Sequence, residues 1–161
     1  MRTLAAPPES IGVAKALPDD VYGEVARLSQ EGSASAEEEL FSQARASWQQ
    51  AWGLLPEPPE QWEAATWLLT AIGDTYFLEG RFAEARDALQ RAVGCPGGLG
   101  TPFLHLRLGQ AQFELGNVTR AKDELARAFM GGAEKLFDGE DPKYWQFIRE
   151  LLRPAADELG E

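Results

Sequence analysis

Two side chains in this sequence carry chemistry that often makes a small protein an enzyme, and each occurs once: His105 and Cys95. A single histidine excludes any two-histidine metal site. His105 lies in Pro102-Phe-Leu-His-Leu-Arg-Leu, among large apolar residues, and reads as a packed histidine. A nucleophilic Cys95 would need a nearby base and a lowered thiol pKa, and the sequence offers it no obvious partner. Carboxylates are plentiful, in runs such as Glu37-Glu38-Glu39 and Asp138-Gly139-Glu140-Asp141. Two carboxylates can share acid and base work. Runs of this kind read instead as solvated helix ends, as charge favoured at a helix N-terminus, or as contacts for a basic partner. No phosphate-binding glycine loop, dinucleotide fingerprint or zinc spacing occurs. The expectation is no catalytic residue, no metal, no cofactor and no enzyme activity.

The formal charge is −11, from 26 acidic and 15 basic residues. That balance disfavours nucleic acid and anionic membranes as partners and favours a basic protein. One cysteine forms no internal disulfide, which fits a reducing cytoplasm. The start of the chain lacks the apolar run of a signal peptide, and nothing approaches the ~18 apolar residues of a membrane span.

The elements that place these residues announce themselves by internal self-similarity. A shift of 36 residues lays Leu68 on Leu104, Gly73 on Gly109, Phe77 on Phe113, Gly80 on Gly116, Ala85 on Ala121, Leu89 on Leu125 and Ala92 on Ala128. Each unit predicts two helices: 62–79 with 82–93, then 101–115 with 118–130. Thr101 is expected to cap the third of these helices with its hydroxyl, ahead of Pro102. Gly73 and Gly109 cost about 1 kcal/mol each relative to alanine in mid-helix. That cost permits close approach of the paired helix, against Ala85 and Ala121. Leu89 with Ala92, and Leu125 with Ala128, form the apolar stripe toward the next unit.

This order of large residue, glycine, aromatic, glycine, aromatic, alanine, leucine and alanine resembles the tetratricopeptide repeat, which is normally about 34 residues long. The two extra residues are expected in the Cys95–Gly100 loop. The resemblance implies an all-α, tetratricopeptide-like superhelical array of helical hairpins with one concave groove. Upstream, Phe41, Ala44, Trp48, Ala51 and Pro56 copy the second-helix pattern, with Ser35 and Glu38 as a capping box that starts the helix. A candidate partner helix runs from Pro18 to about Gln30, and Glu31-Gly32-Ser33-Ala34 is expected as the loop between them. Downstream, Gly131-Gly132 breaks the chain, a short helix follows at 133–137, and Asp141-Pro142 starts a last helix that covers the open end of the stack. The domain reading is a flexible 1–17, then one domain over 18–161: a degenerate repeat at 18–56, repeats at 62–95 and 101–130, and a cap at 133–159.

In tetratricopeptide arrays the first helix of each repeat lines the concave face. By register the resemblance places Trp67, Thr70, Asp74, Phe77 and Leu78 there, followed by Phe103, Leu106, Gln110, Phe113 and Glu114. Aromatic anchors beside acids suit a basic protein partner, although Phe77 and Phe113 also fit as packing between repeats. The lysine and asparagine clamp by which some such repeats hold the acidic C-termini of heat-shock chaperones is absent from these positions.

The stretch Cys95-Pro-Gly-Gly-Leu-Gly100, with Pro102–Gln110 and Phe113-Glu-Leu-Gly-Asn117, resembles a narrower group of small bacterial repeat proteins. So do Trp62-Glu-Ala-Ala-Thr-Trp67 and Gly139-Glu-Asp-Pro-Lys-Tyr144. Members of that group are often encoded beside contact-delivered toxins. The resemblance implies an immunity protein that neutralises a basic toxin domain by stoichiometric binding. A secretion chaperone that cradles an extended segment, or a general adaptor, is the alternative.

Overall fold

The computed structural model describes residues 16–153, so the expected flexible 1–17 segment lies almost wholly outside the described residues, as does the end of the 133–159 cap. Seven α-helices occur among the described residues: α1 (Asp19–Glu37), α2 (Phe41–Gly53), α3 (Glu63–Leu78), α4 (Phe82–Val93), α5 (Pro102–Glu114), α6 (Val118–Gly132) and α7 (Pro142–Leu152). The first six pair as consecutive hairpins, α1 with α2, α3 with α4 and α5 with α6, and each hairpin packs on the next. Short 3-10 turns at Pro59–Gln61, Gly98–Gly100 and Glu134–Phe137 lie in the longer connections.

The three hairpins are built alike. At each turn one residue takes the left-handed conformation: Glu39 (φ 59°), Gly80 (φ 74°) and Gly116 (φ 79°). The next amide closes the turn by donating five residues back, Leu40 to Ser35, Arg81 to Tyr76 and Asn117 to Gln112. These are the paired bonds of a Schellman helix end, for which glycine is the favoured residue.

Inside each hairpin one glycine lets the helices touch. A Cβ on Gly73 would stand 2.5 Å from Leu89 Cγ, and one on Gly109 2.7 Å from Leu125 Cγ. In the first hairpin the pair is Gly32 with Trp48, where a Cβ would stand 2.2 Å from Nε1. This corrects the expectation for residues 31–34. They form no loop, and Ser35 starts no helix, because α1 runs unbroken through Gly32 to Glu37. Gly32 is a contact surface for the Trp48 indole, whose Nε1–H also donates to the Ser29 carbonyl at 3.2 Å.

Ala44, Trp48 and Ala51, then Ala85, Leu89 and Ala92, then Ala121, Leu125 and Ala128 are almost wholly buried, and these stripes join the hairpins. Full burial of each leucine contributes about 1.5–3 kcal/mol. Thr101 departs from its expected role: its hydroxyl donates back to the Gly97 carbonyl at 2.8 Å and caps nothing. Pro102 does occupy the first turn of α5.

Candidate protein-binding face

Of the inward register positions of α3 and α5, Leu78 is exposed, and the others divide into two groups. Trp67 is buried and meets Trp48 edge-on, with ring centroids 5.9 Å apart. Thr70 is buried and donates to the Thr66 carbonyl. Leu106 is wholly buried in the core that α5, α6 and α7 share. Asp74, Phe77, Phe103, Gln110, Phe113 and Glu114 instead converge on Arg107 and on the chain from Glu140 to Phe147.

Arg107 is the hub. Its Nε donates to Asp74, and its terminal nitrogen donates to Gln110 at 2.8 Å and to Glu140 at 2.6 Å. Gln110 donates to the same Glu140 oxygen at 3.0 Å. The guanidinium stacks 4.7 Å from the Phe77 ring centroid and 5.2 Å from that of Phe103. Burial works against the charge on Arg107, and the two carboxylates more than offset it, so the group is held protonated above its ordinary range.

Beside this hub sits an aromatic cluster. Tyr144 of α7 lies between Phe77 of α3, at 6.4 Å, and Phe113 of α5, at 5.5 Å. Phe147 meets Phe113 at 5.1 Å. The Tyr144 hydroxyl donates to Glu114 at 2.6 Å, and the Lys143 ammonium pairs with the same carboxylate. Burial, reinforced by Glu114, pushes the Tyr144 phenol upward. Burial raises the Glu114 carboxyl, but the hydrogen bonds from Lys143 and Tyr144 outweigh it and hold the group below its ordinary range.

Sequence reasoning missed five of these residues: Arg107, Glu140, Lys143, Tyr144 and Phe147. Arg107 is the lone cation of α5, and that isolation between Leu106 and Leu108 was its available signal. Tyr144 belongs in the sequence to the last helix and to the Gly139–Tyr144 motif, neither of which marks it as a site residue. Glu140 was read within a solvated acidic run, yet its side chain is 10% exposed and bonded to Arg107. Asp141 does serve a helix end, accepting from the Lys143 amide at 3.0 Å.

His105 is buried, with Nδ1 2.6 Å from Glu124 and Nε2 2.7 Å from the Leu99 carbonyl. Cys95 is buried; burial and then the charge of Glu60 raise its thiol pKa, the opposite of nucleophile activation. Among the described residues no group of histidine, cysteine, aspartate and glutamate could hold a metal ion. No described helix is long and apolar enough to cross a membrane.

The fold is that of a tetratricopeptide-like helical array. The N-terminal domain of stress-induced protein-1 (STI-1) from C. elegans is similar in structure, with a TM-score of 0.63 and 17% sequence identity over 84% of this chain and 100% of that one. No protein-family model matches the sequence. No curated protein matches it either.

Proposed function

We propose that this chain works by binding another protein, without catalysing a reaction, and that its partner is a basic bacterial toxin domain neutralised by stoichiometric occlusion. The observation that carries the binding reading is the α3–α5 face, where Phe77, Phe103 and Phe113 are only half-buried and Glu114 stands beside them. Rigid aromatic groups next to a carboxylate make anchors for a protein partner. Phe77, Phe103, Phe113 and Glu114 make the contact, and Trp67, Thr70, Asp74, Leu106 and Gln110 support them from beneath. The charge of −11 favours rapid association with a basic domain. The resemblance over about 62–148 to proteins encoded beside contact-delivered toxins supports the choice of toxin. The protein acts in the cytoplasm of the cell that makes it.

Co-expression with the toxin domain encoded beside its gene tests this reading. Growth is restored, and a one-to-one complex elutes together on size exclusion. No rescue and no complex would refute the toxin reading. Protease digestion of the complex separates a folded toxin, which resists cleavage, from an extended client of a chaperone.

A further inference from the structure

The segment from Glu140 to Phe147 sits on α3 and α5 in the manner of a bound peptide. Glu140 supplies a carboxylate to Arg107 and Gln110. Three residues on, Lys143 supplies a cation to Glu114. Tyr144 then enters between Phe77 and Phe113, and Phe147 meets Phe113 edge-on. Each contact falls on a position that the repeat register turns inward, or on Arg107 beside it.

The attachment buries fewer residues than the central helices do, although Trp145 of α7 also stacks on Phe129 of α6 at 5.7 Å. Two of the 11 residues of α7 are buried, Tyr144 and Ile148. By contrast α3 buries 11 of 16 residues and α5 buries 9 of 13. Leu151 and Leu152, at the end of α7, are 44% and 43% exposed. The segment follows the 3-10 turn Glu134–Phe137, whose buried Phe137 meets Trp145 at 5.4 Å, through Asp138 and Gly139, both exposed, and Gly139 has φ 79°. An element that buries little and follows an exposed glycine opens before the core does. Arg107 also keeps its second carboxylate, Asp74, when Glu140 departs.

We infer that the α3–α5 face is a binding site for a helical protein segment, that residues 140–147 are its resident occupant, and that a partner takes the site by displacing α7. The resident defines the chemistry of the incoming segment. It carries a carboxylate for Arg107, a lysine three residues later for Glu114, an aromatic residue immediately after, and a second aromatic three residues beyond. That a partner uses the site rests on the protein-binding reading above. That the site holds a displaceable segment does not.

The probe is a fluorescent synthetic peptide of residues 138–153, titrated into the full-length protein and into full-length Tyr144→Ala/Phe147→Ala. If α7 is docked in all but a few per cent of molecules, the peptide binds the variant at least about 10-fold more tightly than the wild type. A peptide carrying Glu140→Gln and Lys143→Ala binds at least about 10-fold more weakly than the native one. Equal affinity for the two proteins, equal affinity of the two peptides, or binding to neither protein would overturn the inference. Hydrogen exchange on the wild-type protein keeps it falsifiable should the variant not fold. The α7 amides exchange at least about 100-fold faster than those of α3 and α5, whereas exchange of all three in one global event would overturn it. No toxin enters either measurement, so its failure and the failure of the toxin reading are separate results.

Discussion

Within α1 the same substitution should act with opposite signs at two glycines. Gly23 has nothing within 4 Å of the position a Cβ would take. There, Gly23→Ala gains helix propensity and stabilises by about 0.5–1 kcal/mol. Gly32→Ala makes the same local gain. Its Cβ, however, would stand 2.2 Å from Trp48 Nε1, 2.5 Å from Cδ1 and 2.6 Å from Cε2. Carbon atoms pack at about 3.5–4.0 Å, so the indole or the helix must move by more than about 1 Å. Trp48 is 2% exposed, bonded to the Ser29 carbonyl and edge-on to Trp67, so it has nowhere to turn.

Overpacking costs about 1–3 kcal/mol, and weakening the indole hydrogen bond adds about 1 kcal/mol. Set against the propensity gain, Gly32→Ala destabilises by about 1–3 kcal/mol. For a chain of this length each kcal/mol moves Tm by about 2–4 °C. Urea denaturation followed by far-ultraviolet circular dichroism, with thermal melts in parallel, measures both variants against the wild type. Gly32→Ala should lower the urea midpoint and Gly23→Ala should raise it, at unchanged slope. A stabilising Gly32→Ala would refute the close contact with Trp48. It would also return residues 31–34 to the loop that their composition suggests.

Three further outcomes follow from the same contacts. Glu39 holds a left-handed conformation (φ 59°) where the other hairpins use glycine; Glu39→Gly should stabilise by about 0.5–1 kcal/mol in urea denaturation, and a loss of stability would contradict the shared turn geometry. Arg107→Met removes the guanidinium that bonds both Asp74 and Glu140; breaking such a buried pair costs about 3–5 kcal/mol, and a neutral result would show that the cluster contributes little. The folded Glu114 carboxyl titrates below its ordinary 4.5, so its stabilisation is complete above that pH and is lost as pH falls through the folded value. The stability difference between wild type and Glu114→Gln should therefore be constant at neutral pH and shrink in acid below 4.5; a difference that persists unchanged would remove Glu114 from the α7 contact.

What the sequence made legible is what periodic packing dictates. The 36-residue shift locates α3 to α6 to within a residue or two, because Gly73 with Leu89 and Gly109 with Leu125 solve one packing problem twice. The first hairpin obeys the same rule at a shift of 41: Gly32, Glu39, Ala44, Trp48 and Ala51 fall on Gly73, Gly80, Ala85, Leu89 and Ala92. Ala44, Trp48 and Ala51 show the second-helix half of that pattern in the sequence; the first-helix half is hidden because Glu39 stands where the other turns have glycine, so Gly32 looks like a helix breaker among Glu31, Ser33 and Ala34. A glycine facing a large residue 16 positions on is the same device in all three hairpins.

The candidate site was less legible for a different reason. Glu37, Glu38, Glu39 and Glu140 look alike in the sequence, each in an acidic run near a helix end. In the fold the first three are exposed, and Glu140 is drawn inward to Arg107. Nothing local to residue 140 separates it from the others. Its role is set by a cation 33 residues away in sequence, on a helix whose other ionisable side chains are His105 and Glu114. Repeats can be read from spacing because each repeat meets its own kind. The C-terminal segment meets the face of the array once, so no second copy exists to reveal the pairing. A lone cation in an apolar helix nevertheless demands a buried carboxylate somewhere. Acids on the neighbouring elements are the candidates, and Asp74 within α3 and Glu140 just ahead of α7 are the two that answer.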